Sequence, residues 1–124
     1  MTKYIEIEDL EVYKLAVEIS QIGWDIYREL NYQLKKIIGD QFIQAIDSIG
    51  ANIAEGYGRY HYLDKIKFYY NARGSIFEAC YWVVIMKKRE IGDQEKLEKL
   101  KELLDKENMK LNNFISSTYK AKDK

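Results

Sequence analysis

The sequence predicts an all-α protein, an antiparallel up-down-up-down four-helix bundle, and three observations carry that expectation. The 124 residues contain no proline, the strongest interruption a helix can meet. Apolar side chains recur at spacings of three and four along four segments, at about residues 9–30, 40–57, 63–90 and 93–118. Short connections join these segments, so each helix can lie beside its predecessor. At this length the chain, 1–124, reads as a single domain.

Residues Lys3 to Glu8 alternate apolar with acidic side chains and read as an extended lead-in. The first helix starts with Asp9 as its cap, and Val12, Ala16, Ile19, Gly23, Ile26 and Leu30 form its apolar stripe. Tyr13, Val17, Trp24 and Tyr27 widen that stripe on one side. Gly39 punctuates the next connection, and Asp40 caps a second helix whose stripe is Phe42, Ile46, Ile49 and Ile53. Gly56 and Gly58 close that helix, where glycine can take the left-handed conformation.

The third helix begins near Leu63 with Asp64 in its first turn and ends in Lys87, Lys88 and Arg89, the charge order its dipole favours. Ile66, Tyr70, Arg73, Phe77, Cys80 and Val84 line one face, and Phe68, Ala72, Ser75, Ala79, Trp82 and Met86 another. A helix apolar on nearly all sides must be covered on nearly all sides. A lone bundle leaves part of it bare, so self-association is expected. Gly92-Asp93 makes the last turn, and the fourth helix carries the seam Leu97, Leu100, Leu104, Leu111 and Phe114, broken once at Glu107.

Twenty basic and twenty acidic residues balance, so no global field draws the chain to a polyanion or a membrane surface. The balance is uneven: residues 1–62 carry six basic and ten acidic side chains, and residues 63–124 carry fourteen and ten. A net −4 facing a net +4 suits helix or subunit pairing. The single Cys80 excludes an internal disulfide and reads as a buried thiol in a reducing compartment. The longest apolar run, Ala79 to Met86, is far short of the roughly 20 residues a membrane span needs. No hydrophobic leader is visible after Lys3, and a cytoplasmic location is expected.

Polar residues interrupt the apolar pattern at two places. Ser48, Asn52, Glu55 and Arg59 form a polar stripe on the second helix, running through Asn52-Ile53-Ala54-Glu55-Gly56-Tyr57-Gly58-Arg59. Arg73, Gly74, Ser75 and Glu78 follow on the third. A guanidinium on an apolar face needs a carboxylate, for which Glu55 and Glu78 are the candidates. Such a cluster serves as a register-fixing joint more readily than as a shallow ligand or phosphate site. Tyr57, Tyr60, Tyr62, Phe68, Tyr69 and Tyr70 are interleaved with Arg59, Lys65 and Lys67, the candidate nucleic-acid contacts. Without a basic domain, a core-edge or interface role for the tyrosines is favoured. His61 stands alone, with no ligand at metal spacing, and a Cys–His pair is disfavoured because Cys80 lies in an apolar helix interior. No catalytic, cofactor-binding or metal-ligating set is expected.

The pattern Ser48-Ile49-x-x-Asn52-Ile53-Ala54-Glu55-Gly56-Tyr57-Gly58-Arg59, with Ala72-Arg73-Gly74-Ser75 and Glu78, resembles the S23 ribosomal protein family encoded by 23S rRNA intervening sequences. Leu10-x-Val12-Tyr13 with Ala16 resembles that family's opening helix. The resemblance spans about residues 5 to 118. It implies a non-enzymatic bundle assembled into a ring, most often a pentamer. It also implies relatedness to the accessory protein of diversity-generating retroelements, which binds reverse transcriptase and nucleic acid. The partners expected are therefore further copies of the chain, with RNA, DNA or a nucleic-acid enzyme beyond them. An alternative is a protein–protein interaction module with no nucleic-acid role. Two departures matter: Ile43-Gln44 replace a basic pair, which weakens nucleic-acid binding, and Gly50 replaces a proline, which removes a kink.

Overall fold

The computed structural model describes residues 5–121. Among the described residues the chain is all helical, with four long helices and no strand: α1 (Glu11–Arg28), α2 (Asp40–Tyr57), α3 (Tyr62–Lys88) and α4 (Gln94–Ala121). α1 packs on α2, α2 on α3, α3 on α4 and α4 back on α1.

The helix ends depart from the expected caps in instructive ways. Asp9 does not cap α1; Ile7–Asp9 forms a single 3-10 turn, and Leu10 takes the cap position without a side-chain bond. Gly39 is no connection either. The second helical stretch starts at Tyr32, where the Asn31 side chain accepts from the Leu34 N–H at 2.8 Å, and passes through a π-helical segment, Lys35–Gly39, before α2. Asn31 is a better cap than Asp40, because it stands where the backbone is still extended and the first N–H groups lack partners. Asp40 instead accepts from the Tyr27 hydroxyl at 2.7 Å, tying the end of α1 to the start of α2. That bond holds the Asp40 carboxyl below its ordinary range and raises the Tyr27 phenol above its own.

Gly56 and Gly58 also differ from expectation, since the only positive-φ glycine among the described residues is Gly92, at 87°. The left-handed position after α3 falls to Glu90, at φ 56°. Ile91 N–H donates to the Met86 carbonyl at 2.9 Å and Glu90 N–H to that of Lys87 at 3.3 Å, the paired bonds of a Schellman ending. Asp93 then opens α4 as expected, its side chain accepting from the Lys96 N–H.

The core takes the predicted stripes of α1 and α2, and Phe42, Ile46, Ile49 and Ile53 are fully buried. α1 and α2 meet in opposite order along the chain. A Cβ built at Gly39 would lie 3.0 to 3.2 Å from Leu30 and Tyr27, one at Gly23 would lie 2.8 Å from Ile46, and one at Gly50 would lie 3.3 Å from Ala16. In α3 the core face is Ile66, Tyr69, Ala72, Ile76, Ala79, Val83 and Met86, which divides the two faces expected from sequence. Tyr70, Phe77 and Val84 turn to solvent, as do Val17 and Trp24 of α1.

Glu107 is the anomaly of the core. It lies in the same row of α4 as Leu100, Leu104 and Leu111, is 0 % exposed, and neither carboxyl oxygen has a hydrogen-bond partner among the described residues. Removal from water pushes its carboxyl up to about 8, against partial relief from Lys110. The folded state thus keeps a proton that the unfolded chain loses near pH 4.5. The contribution of Glu107 to stability is accordingly greatest below that pH and declines as pH rises from 4.5 through about 8. We expect Glu107→Leu to flatten this decline and to raise stability at pH 8 by about 1–3 kcal/mol. Urea unfolding at a series of pH values checks it; an unchanged profile would contradict a buried neutral carboxyl.

Candidate functional site at the α2–α3 joint

The joint is built around Gly56, on the face of α2 that meets α3. A Cβ there would lie 2.7 Å from Tyr69 Cε1, 2.9 Å from Phe68 Cβ and 3.0 Å from the Lys65 backbone carbonyl. The third contact is backbone and cannot rotate away, so the helices approach this closely only with glycine at 56. Gly56 thus serves close packing, not a left-handed ending. Below it, Tyr69 is buried and packs its ring on Phe114 of α4 with centroids 4.9 Å apart. Burial raises the Tyr69 phenol well above its ordinary value.

Two of the three candidate nucleic-acid cations are engaged at this joint. Lys65 Nζ donates to the Tyr57 carbonyl at 2.8 Å, satisfying one of the acceptors left at the C-terminus of α2, and lies over the Tyr57 ring at 5.2 Å from its centroid. Its partial burial lowers the ammonium's pKa. Arg59 pairs with Glu55 at 2.8 Å and stacks its guanidinium 4.8 Å from the Phe68 ring centre. The Tyr57 hydroxyl reaches back to donate to the Ile5 carbonyl, pinning the lead-in. Lys67, the third, is exposed.

The other polar residues do not converge. Ser48 donates to the Gln44 carbonyl at 2.7 Å and Asn52 to that of Ser48 at 2.9 Å, both within α2. Ser75 does the same to Asn71 at 3.2 Å, and Glu78 accepts from the Trp82 indole at 3.3 Å, both within α3. Arg73 pairs with neither Glu55 nor Glu78. It donates to Asn112 of α4 at 3.1 Å and lies 4.8 Å from the centre of the Tyr70 ring, away from the joint. Being half-buried at a helix edge, its charge stays partly hydrated and a neutral amide suffices. Gly74 has no neighbour within 4 Å of a built Cβ. The two signature segments are therefore two sites, one joining α2 to α3 and the other α3 to α4.

Chemically the joint binds helices together. Cys80 is half-buried and its thiol is pushed up by that burial, which disfavours the nucleophilic thiolate. His61 stands edge-on to Tyr60, with centroids 5.0 Å apart. Among the described residues no group of three or more His, Cys, Asp or Glu side chains is placed to hold a metal ion. Sequence reasoning missed Asn112 and the core position of Tyr69. One asparagine of the Asn112-Asn113 pair carries no signal, whereas Tyr69 sits at the right interval from Ile66, Ala72 and Ile76 to have been read as core.

Four helices, glycine-mediated packing and locally satisfied polar side chains define a small all-α packing module. The chain belongs to the 23S rRNA-intervening sequence protein family, which matches residues 8–113. It is also similar in fold to a solved protein of unknown function from the S23 ribosomal protein family of Bacteroides thetaiotaomicron. The two are 24% identical with a TM-score of 0.78, over 84% of this chain and 97% of that one. Among curated proteins none matches.

Gly56→Ala is expected to destabilise the fold by about 1–3 kcal/mol, the range for overpacking a closed contact. Gly58→Ala is the control, because its nearest contacts are 3.6 and 3.7 Å away and its φ is −78°. Chemical denaturation checks the pair; equal effects at both positions would remove the special role of Gly56.

Proposed function

We propose that this chain is a non-enzymatic scaffold acting as a homo-oligomer, an up-down-up-down bundle whose copies close into a ring, with five copies as the resemblance implies. The observation that carries this reading is the bare apolar surface of α3. Phe77 is 61% and Tyr81 55% exposed, with Tyr70 and Val84 beside them on the same side of the helix. A contiguous apolar face of this kind marks an interaction surface. The opposite order of contacts along α1 and α2 supports the up-down arrangement. The raised Cys80 thiol and the closed position of Glu107 support a non-enzymatic role. A cytoplasmic location is part of this reading. No helix among the described residues is long and apolar enough to cross a membrane.

A second reading has the scaffold hold RNA, DNA or a nucleic-acid enzyme. It is favoured by the excess of basic over acidic side chains on α3 and by the exposed Lys67. Against it, Arg59 and Lys65 already have partners within the chain. We therefore place protein–protein assembly first.

Light scattering across micromolar concentrations is expected to return a mass that is a whole multiple of the chain, five by the ring reading. Monomer throughout would defeat it. Electrophoretic shift with structured RNA separates the two partner readings: no shift at low salt supports assembly alone. A shift that weakens steeply as salt rises would assign phosphate contacts and put the nucleic-acid reading first.

A further inference from the structure

The bare face of α3 has a regular pattern. Leu63, Tyr70, Gly74, Phe77, Tyr81 and Val84 follow one another at intervals of seven, four, three, four and three, the repeat of a helix that packs along another helix. All six are exposed. Gly74 sits in the middle with open space where a Cβ would point. A glycine inside a helix lowers its stability by about 1 kcal/mol relative to alanine, and nothing in its own chain requires one here. The open space there admits close approach of another backbone.

A second apolar surface lies across the molecule. Val17 and Ser20 of α1 with Gly50, Ala51 and Ala54 of α2 line an open groove of about 320 Å³. Its α2 wall is Gly50, Ala51 and Ala54 with Asp47 at one end, small enough over most of its length for a ring to enter. Val17 is 52% exposed at its edge, and Trp24, 48% exposed, continues the same side of α1. Asp47 forms part of the wall and has no ion-pair partner among the described residues.

The charges on the two helices are opposite. α2 carries three carboxylates, Asp40, Asp47 and Glu55, and no basic residue. α3 carries five basic and two acidic side chains, a net +3. Asp40, Glu55 and Lys87 already pair with Lys36, Arg59 and Glu98, which leaves Asp47 of α2 and Lys67, Arg73 and Lys88 of α3 without an ion-pair partner among the described residues. A seam-to-seam pairing would set these cations against their own copies. A seam-to-groove pairing brings these unpaired cations toward Asp47 in the groove wall.

The two surfaces do not compete for space. The seam lies toward the α4 side of α3, where Tyr70 pairs with Tyr119 and the adjacent Arg73 reaches Asn112. The groove lies between α1 and α2, which pack on each other away from that edge. One chain can therefore offer its seam to one neighbour and its groove to another.

We propose that the α3 seam of one copy, led by Phe77 and Tyr81, docks into the α1–α2 groove of a second copy. This rests on the self-association proposed above and names the two unlike faces that make it. Because those faces differ, the contact is head-to-tail, the kind that builds rings when its rotation closes.

The test uses two variants of the full chain, each at an exposed position: Phe77→Glu breaks the seam and Ala51→Trp fills the groove. Far-UV circular dichroism checks that each keeps its helix content. Tyr81→Glu and Val17→Lys, also exposed, replace either variant that does not. Each variant alone is expected to self-associate at least about tenfold more weakly than the parent, the loss typical of removing a central anchor. Mixed together they are expected to form a one-to-one dimer, since the first retains its groove and the second its seam. A parent protein that is monomeric at all concentrations overturns both the scaffold reading and this one. A parent oligomer unaffected by Phe77→Glu overturns only the docking. An Ala51→Trp variant that assembles as the parent does, or a mixture that stays monomeric, overturns the head-to-tail arrangement.

Discussion

The contact on which the rest of the structure depends is the approach of α2 to α3 at Gly56. Three atoms of α3, one of them the Lys65 backbone carbonyl, stand at 3.0 Å or less from the place a Cβ would occupy. That distance sets where Tyr69 sits, and Tyr69 carries the contact on to Phe114 of α4. It also brings Lys65 within 2.8 Å of the Tyr57 carbonyl, so one cation ends α2 and joins it to α3 together. Around it Lys65, Arg59 and the Tyr57 hydroxyl each have a partner within the chain.

The polar residues of the two signature segments are likewise satisfied separately. Glu55 and Arg59 satisfy each other, Asn52 and Ser75 bond to their own helices, and Arg73 turns to Asn112. The surfaces free to act are the apolar ones: the α3 seam and the groove of small residues between α1 and α2. The assembly proposed above rests on these two surfaces.

Much of the fold could be read from residue spacing. The stripes of α1, α2 and α4 turn inward as the three-and-four pattern requires, because each of those helices has one apolar side. α3 defeated the same reasoning, since it is apolar on both sides and period alone cannot say which side meets the core. Tyr69, Ile76 and Val83 face inward where Tyr70, Phe77 and Val84, one residue later, face out. Gly39 misled for a related reason: glycine signals a break, yet here it makes room for Tyr27 and Leu30 inside a continuing helix. At the candidate site, the residues expected to pair with one another have other partners. Arg73 needed a partner, and the one it has lies 39 positions away in a helix whose register the sequence does not reveal. Glu107 was visible as a break in a leucine seam, but its full burial without a partner is a property of the assembled core.

The most direct test of the Gly56 contact is a double-mutant cycle between Gly56→Ala and Tyr69→Leu, read by urea unfolding. Shortening the ring takes away the nearest of the three obstructing atoms, so the double variant should be more stable than the sum of the single effects. A favourable coupling of about 0.5–3 kcal/mol is expected. Strict additivity would mean that Gly56 and Tyr69 do not constrain each other, and that the α2–α3 packing is set elsewhere.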